Sequence, residues 1–276
     1  MPIKLEIEDG SPAWWNSHDL WVVPGNDPGG SPGQPVAGQT AYLWARVHNN
    51  GSASANGAQL NFYWSNPATG VLRSNSTLIG SSFVDLSPGE TQDVLCLTPW
   101  TPTIVNDGHE CIVGEVIHPA DPLPSPLSDA FDPPEHLQIA QRNLSVLSMK
   151  KSMIILPIQL SAPVREKRSF EVILDFDNTL SPAALKQSGS GKFKYSKQPL
   201  VNAELSMDRT CTAINDTHGC CHLKVDLAPG TSKALYLKIE PRNLKPGLYT
   251  PVNVTTCEHG KTTGGITFIA IQSEEE

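Results

Sequence analysis

The chain has 276 residues, a normal apolar fraction and abundant Gly and Pro without a collagen-like period, so it is long enough for two ordinary folded domains. No stretch approaches the roughly 18 consecutive apolar residues that a membrane-spanning helix needs, and the start, "MPIKLEIEDGSPAWW", carries no basic n-region or apolar h-region of a secretory leader. The net charge of −8 divides unevenly: residues 1–145 hold 4 Lys/Arg against 15 Asp/Glu, a net −11, while residues 146–276 hold 16 against 13, a net +3. An acidic half excludes a nucleic-acid partner, because such binding rests on neutralising phosphates with Lys and Arg.

From the N-terminus, "SPAWWNSHDLW" places Trp14, Trp15 and Trp21 close together. Neighbours on an extended chain point to opposite sides, so Trp14 and Trp15 cannot share one core. One of them needs a cover from the second half, another subunit or a ligand, and tryptophan is enriched at binding hot spots. All six tryptophans, the others being Trp44, Trp64 and Trp100, precede residue 101. The stretches 39–48, 58–65, 91–97 and 110–117 then read as strands, being short, rich in β-branched and aromatic residues and bounded by Gly, Pro, Asn and Ser. The last of them, in "GHECIVGEVIH", aligns His109, Glu110, Cys111, Glu115 and His118, residues suited to acid–base or metal chemistry but equally to a strand with polar ends and a buried cysteine.

The proline-rich connection 118–136, "HPADPLPSPLSDAFDPPEH", is too long for an ordinary turn. Its stiff backbone and exposed carboxylates make Asp121, Asp129, Phe131 and Asp132 candidate binding residues, although no calcium-loop spacing is present. Further strands follow at 169–176, 221–227, 233–240 and 265–271, with one short helix expected over "SPAALKQS" at 181–188, where Ser precedes Pro as N-cap precedes N1. "SGSGKF" at 188–193 lacks the first Gly and the final Ser/Thr of a phosphate loop and reads as a flexible basic loop.

"THGCCH" at 217–222 poses a choice between metal and framework. A zinc set would draw on Cys211, His218, Cys220 and His222, with Cys221, Cys257 and His259 as reserves. Adjacent cysteines on a strand face opposite ways, however, and Cys221 shares its face with the apolar Leu223, Val225 and Leu227. Disulfides suit this better. The cysteines number two in the first half and four in the second, and the preferred pairs are Cys96–Cys111, Cys211–Cys220 and Cys221–Cys257. Such a framework would indicate an exported protein.

"VDLSPGETQ" at 84–92 repeats as "VDLAPGTSK" at 225–233. In both, Pro presets φ and Gly supplies a positive φ for a tight turn between two strands. The register carries Val94 and Cys96 onto Leu235 and Leu237. With the composition change near residue 145, this predicts an all-β chain of two tandem immunoglobulin-like β-sandwiches, residues 1–147 and 148–276.

"DLWVVPG" (19–25), the strand end "VHNNG" (47–51) and "LSPGETQDVLCLTPW" (86–100) resemble bacterial immunoglobulin-like domains of the cell-adhesion-related (CARDB) type, over about residues 15–147. The second half resembles them through its Pro-Gly turn and strand rhythm. The resemblance implies adhesion, spacing or assembly on extracellular proteins, with no catalysis and no cofactor. The expected role is a binding or assembly module for a protein partner or a neighbouring subunit, working outside the cell or at its surface, with the cytoplasm as the alternative. A glycan bound on the N-terminal tryptophans, or a metal on the His/Cys clusters, are the competing readings.

Overall fold

The computed structural model describes residues 2–103, 111–149, 152–209 and 222–272. The first half contributes eight strands: β1 (Leu5–Glu6), β2 (Leu20–Pro24), β3 (Ala41–Asn49), β4 (Ala55–Ser65), β5 (Ser76–Leu86), β6 (Thr91–Leu95), β7 (Cys111–Ile117) and β8 (Ile139–Arg142). One sheet is built around β3, which pairs with β1, β2 and β6; the other runs β5-β4-β7-β8, and all of these pairings are antiparallel. Strand β3 shows why the sheets stack. Ala41, Leu43, Ala45 and Val47 alternate inward against Leu60, Phe62 and Leu86 of the facing sheet, while Tyr42, Trp44, Arg46 and His48 face out.

The second half adds β9 (Leu144–Met149), β10 (Ile154–Ser161), β11 (Arg168–Asp175), helix α1 (Pro182–Gln187), β12 (Lys194–Tyr195), β13 (Val201–Ser206), β14 (His222–Leu227), β15 (Ser232–Pro241), β16 (Leu248–Glu258) and β17 (Lys261–Gln272). Its larger sheet runs β14-β11-β16-β17-β9, with β12 beside β16, and faces a three-stranded sheet β10-β15-β13. Sheet membership therefore changes across Asn143, between β8 and β9. A second core lies between these sheets, formed by Leu156, Ile158, Val172, Leu237, Val254 and Phe268 among others. The molecule is two all-β sandwiches in tandem. No helix among the described residues is long and apolar enough to cross a membrane.

Local sequence explains the corners. Gly89 and Gly230 sit at φ +74° and +66°, and each turn closes with a backbone bond across it, Glu90 N–H to Ser87 O and Thr231 N–H to Ala228 O, both 3.1 Å. Each turn hands the chain from one sheet to the other, β5 to β6 and β14 to β15. The repeated register holds as well, since Val94, Cys96, Leu235 and Leu237 are all buried. His259 and Gly260 both take positive φ, 49° and 76°, as a two-residue hairpin between β16 and β17 requires. Ser181 caps α1 by accepting from Ala184 N–H at 3.0 Å. The "SGSGKF" segment is a helix stop rather than a loose basic loop: Gly189 turns at φ +76° and Ser188 and Ser190 are buried.

The cysteines correct two of the three expected disulfides, Cys96–Cys111 and Cys221–Cys257. None of Cys96, Cys111 and Cys257 takes part in a disulfide. Cys96 points between the two sheets of the first sandwich, whereas Cys111 points to the outer face of β7, against Val71, Val113 and Phe131. Alternation along the strand thus places the two sulfurs on opposite sides of a sheet. Cys257 lies near Thr262 Oγ1 at 3.8 Å and is not joined to Cys221. Cys211, Cys220 and Cys221 fall outside the described residues. Burial pushes the Cys96 thiol up, opposed by a backbone hydrogen bond from Thr98. Iodoacetamide is expected to modify Cys257 in the native protein and to reach Cys96 and Cys111 only on unfolding, as read by peptide mass mapping. Equal native labelling of Cys111 and Cys257 would contradict this packing.

Candidate functional site

The N-terminal segment 13–16 sits where the sandwiches meet. A tight turn, Asn16 N–H to Ala13 O at 2.8 Å, splays the two indoles edge to face with centroids 5.8 Å apart. The second half supplies the cover. Trp15 packs flat against Gly265 of β17, where any side chain would overlap the ring. Its Nε1 donates to Thr267 Oγ1 at 3.0 Å. Asn143 is fully buried at the junction: its backbone N–H donates to Trp15 O at 2.7 Å and its carbonyl accepts from Thr267 N–H at 2.9 Å. Its amide donates to Ala68 O at 2.7 Å and to Gly265 O at 2.9 Å, tying both halves together. An isolated bridge joins Ala68 to Gln159, and Lys261 Nζ meets Glu135 Oε1 at 2.8 Å across the seam.

Beside this seam opens a cleft of about 250 Å³. Trp14, Val71, Leu72, Ala130, Phe131 and Asp132 line it from the first half, and Phe170, Arg168, Lys261 and Thr263 from the second. The 118–136 connection builds one wall and is far from free. Phe131 N–H donates to Val71 O at 3.0 Å, and the Phe131 ring packs under the Arg73 guanidinium, 4.1 Å from its centroid. Arg73 in turn pairs with the buried Glu115 at 2.5 Å. Asp129 is spent on local structure, accepting from Ser74 N and Oγ, each at 2.9 Å. Asp121 accepts from Leu5 N at 2.8 Å, holding β1 in place.

The polar groups of the cleft are set by their neighbours. Burial opposes the charge on Arg168, but the hydrogen bond and charge of Glu258, then those of Glu166, outweigh it and hold its pKa above the ordinary value. Its Nη1 and Nη2 contact Glu258 and Glu166 at 2.6 Å each, while its buried Nε has no partner. The hydrogen bond from Lys261 draws the Glu135 carboxyl down and lifts Lys261 itself. An aromatic floor with a cationic and hydroxylated rim can hold an apolar side chain and fix a neighbouring polar group.

Of the expected binding residues, Trp14, Phe131 and Asp132 meet at this cleft, and Trp15 lies under it in the seam. Trp21 stands elsewhere. It stacks on Trp44 at 6.0 Å with planes 4° apart, beneath Arg46, in an open groove shared with Ala183 and Lys186. Trp14 and Trp15 are only 7% and 6% exposed, so they offer no open platform for a sugar ring. Of the zinc set, Cys211, His218 and Cys220 fall outside the described residues, and His222 is exposed on β14, 4.0 Å from Glu171. His109 and Glu110 also fall outside them; Cys111 and Glu115 are buried, and His118 Nδ1 accepts from Ala120 N at 3.1 Å. Nothing in the sequence singled out Arg168, Lys261 or Gly264, and Asn143 stood out only as the start of an Asn-x-Ser triplet. The one available signal was the Gly264-Gly265 pair inside a strand, a mark of close backbone approach.

The chain matches no protein-family model and no curated protein. Among solved structures it is similar to the CARDB domain of the PF1109 protein from Pyrococcus furiosus, crystallised in complex with di-metal ions: 20% identity, TM-score 0.27, covering 45% of this chain and 84% of that one. The solution structure of the same domain gives 19% identity and TM-score 0.27, covering 45% and 90%. The CupB6 tip adhesin from Pseudomonas aeruginosa gives 10% identity and TM-score 0.28, covering 99% and 98%.

Proposed function

We propose that this protein is a non-catalytic binding and assembly module that captures an extended segment of a protein partner in the cleft between its two sandwiches. The observation that carries the reading is the cleft itself: an aromatic floor of Trp14, Phe131 and Phe170 under a rim holding Arg168 and Lys261. Sites at the junction of two rigid units suit recognition, because each wall is held by its own sheet and little ordering entropy is lost on binding. In this reading the domains divide at Asn143, supported by the change of sheet there, a little ahead of the boundary expected from composition. The fused pair acts as one rigid spacer, and its setting is the cell surface or exterior, a placement that rests on the family resemblance.

The occupant is a peptide presenting a large apolar side chain beside a carboxylate. A random peptide display selection against the full chain tests this. Enriched peptides should carry that pair of residues. They should lose binding to Ala130→Trp, which plugs the cleft, and bind Lys261→Glu about tenfold more weakly, the scale of one charge-assisted hydrogen bond. Peptides that bind Ala130→Trp as tightly as the unaltered protein, or a selection with no enrichment, would sink the proposal.

A further inference from the structure

A second site lies on the first sandwich, built from residues that do not line the cleft. Glu8 follows β1, His18 and Asp19 immediately precede β2, and His48 lies on β3. The ligating atoms of Glu8, His18 and Asp19 all fall within 4.8 Å of one another. His18 Nε2 is 3.0 Å from Glu8 Oε2 and 4.0 Å from Asp19 Oδ1. The Asp19 side chain is only 2% exposed, whereas those of Glu8 and His18 are 50% and 25% exposed.

We propose that Glu8, His18 and Asp19 bind a first-row divalent cation, with zinc the best fit, and that His48 is a positioning residue for Asp19. Imidazole and carboxylate donors suit such ions. A tetrahedral centre with bonds of about 2.0–2.1 Å holds its ligand atoms roughly 3.3 Å apart. The observed 3.0 and 4.0 Å separations bracket that value, so small side-chain rotations complete the geometry. Asp19 is already aimed. Its Oδ2 accepts from Glu8 N at 3.2 Å and meets His48 Nε2 at 2.7 Å, which leaves Oδ1 facing His18. His48 is itself held by Thr91 Oγ1 at 2.9 Å on its other nitrogen. A histidine behind a ligating carboxylate restricts its orientation as outer-shell partners of metal sites do.

Three protein ligands leave a fourth position on the side where Glu8 is exposed, open to water or to a donor from a partner. His18 Nδ1 is buried without a partner. It must carry the ring proton when Nε2 ligates, so affinity is set below that of a closed four-ligand zinc centre. Binding would pin the chain after β1 to the start of β2, joining two segments that reach β3 separately.

The test is calorimetric titration of zinc chloride into the chelator-stripped full chain, with cobalt substitution as a second readout. One equivalent should bind. Glu8→Gln and His18→Ala should each weaken binding at least tenfold, and His48→Gln by about 10- to 100-fold, the range for outer-shell partners. The cobalt form should show d–d bands without a sulfur-to-metal charge-transfer band, which separates this site from the cysteines. Glu8 is half exposed, so Glu8→Gln should keep the metal-free melting temperature and isolate ligation from folding. No saturable binding, unchanged affinity in Glu8→Gln and His18→Ala, or a thiolate band in the cobalt spectrum would each overturn the assignment.

Discussion

Trp15→Ala is expected to lower the stability of the whole chain by about 3–5 kcal/mol, the cost of emptying a buried aromatic site. The indole is enclosed by groups from both sandwiches. One face lies on Gly265 of β17, its edge adjoins Trp14, and its nitrogen donates to Thr267 Oγ1, which donates onward to Asn253 Oδ1 at 2.9 Å. Removing the ring leaves a hole that β17 cannot collapse into, because β16 and β9 hold it on both edges. The loss falls on the contact between sandwiches rather than within either. Urea unfolding followed by tryptophan fluorescence and far-UV circular dichroism should therefore separate into two transitions, where the unaltered chain gives one. A loss below about 1 kcal/mol with coincident probes would mean that the seam contributes little.

Gly264→Ala acts on the same seam from the opposite side. An added Cβ would lie 2.0 Å from Thr69 O, 2.4 Å from Thr69 C and 2.8 Å from Gly70 N. These are backbone atoms, so no side chain can swing away and the segment after β4 must move off β17. Overpacking costs about 1–3 kcal/mol in ordinary cores, and this contact belongs at or above the top of that range. The displaced segment also forms the wall of the cleft through Gly70 and Val71. Gly264→Ala should then weaken peptide capture as well as stability. Gly29→Ala is the control: it is exposed and its nearest neighbour would be the Asp27 carboxylate at 3.4 Å, so a change within about 0.5 kcal/mol is expected. Equal effects at Gly29 and Gly264 would refute the close approach of the two backbones.

What could be read from the sequence follows from how far apart the interacting residues are. Strand β3 announces itself through two-residue alternation, α1 through Ser-Pro, and both sheet-to-sheet turns through Pro-Gly; each signal is contained in a few neighbouring residues. The cleft was legible in pieces. Trp14, Phe131 and Asp132 were marked out by type and by loop length, but their meeting with Arg168 and Lys261 depends on how one sandwich abuts the other, which no local pattern encodes. Asp121 and Asp129 looked free because their partners, Leu5 N–H and the Ser74 backbone and hydroxyl, lie 116 and 55 residues away. The Cys96–Cys111 expectation failed for a related reason: counting cysteines says nothing about which face of a sheet each occupies. The Glu8–His18–Asp19 cluster has no ligand spacing at all, since the chain leaves the site after Glu8 and returns at His18.

The parallel pairing of β9 with β17 has a consequence for how the chain is made. β9 is the first strand of the second sandwich to leave the ribosome, yet its partner comes after every other strand of that sandwich. Residues 144–149 and the Trp14-Trp15 pair must therefore wait, with apolar surface uncovered, until β17 is synthesised. Closing so distant a contact is slow, and such waiting surfaces invite premature association. In the nascent first sandwich this surface lies open, and docking of β17 is the event that covers it.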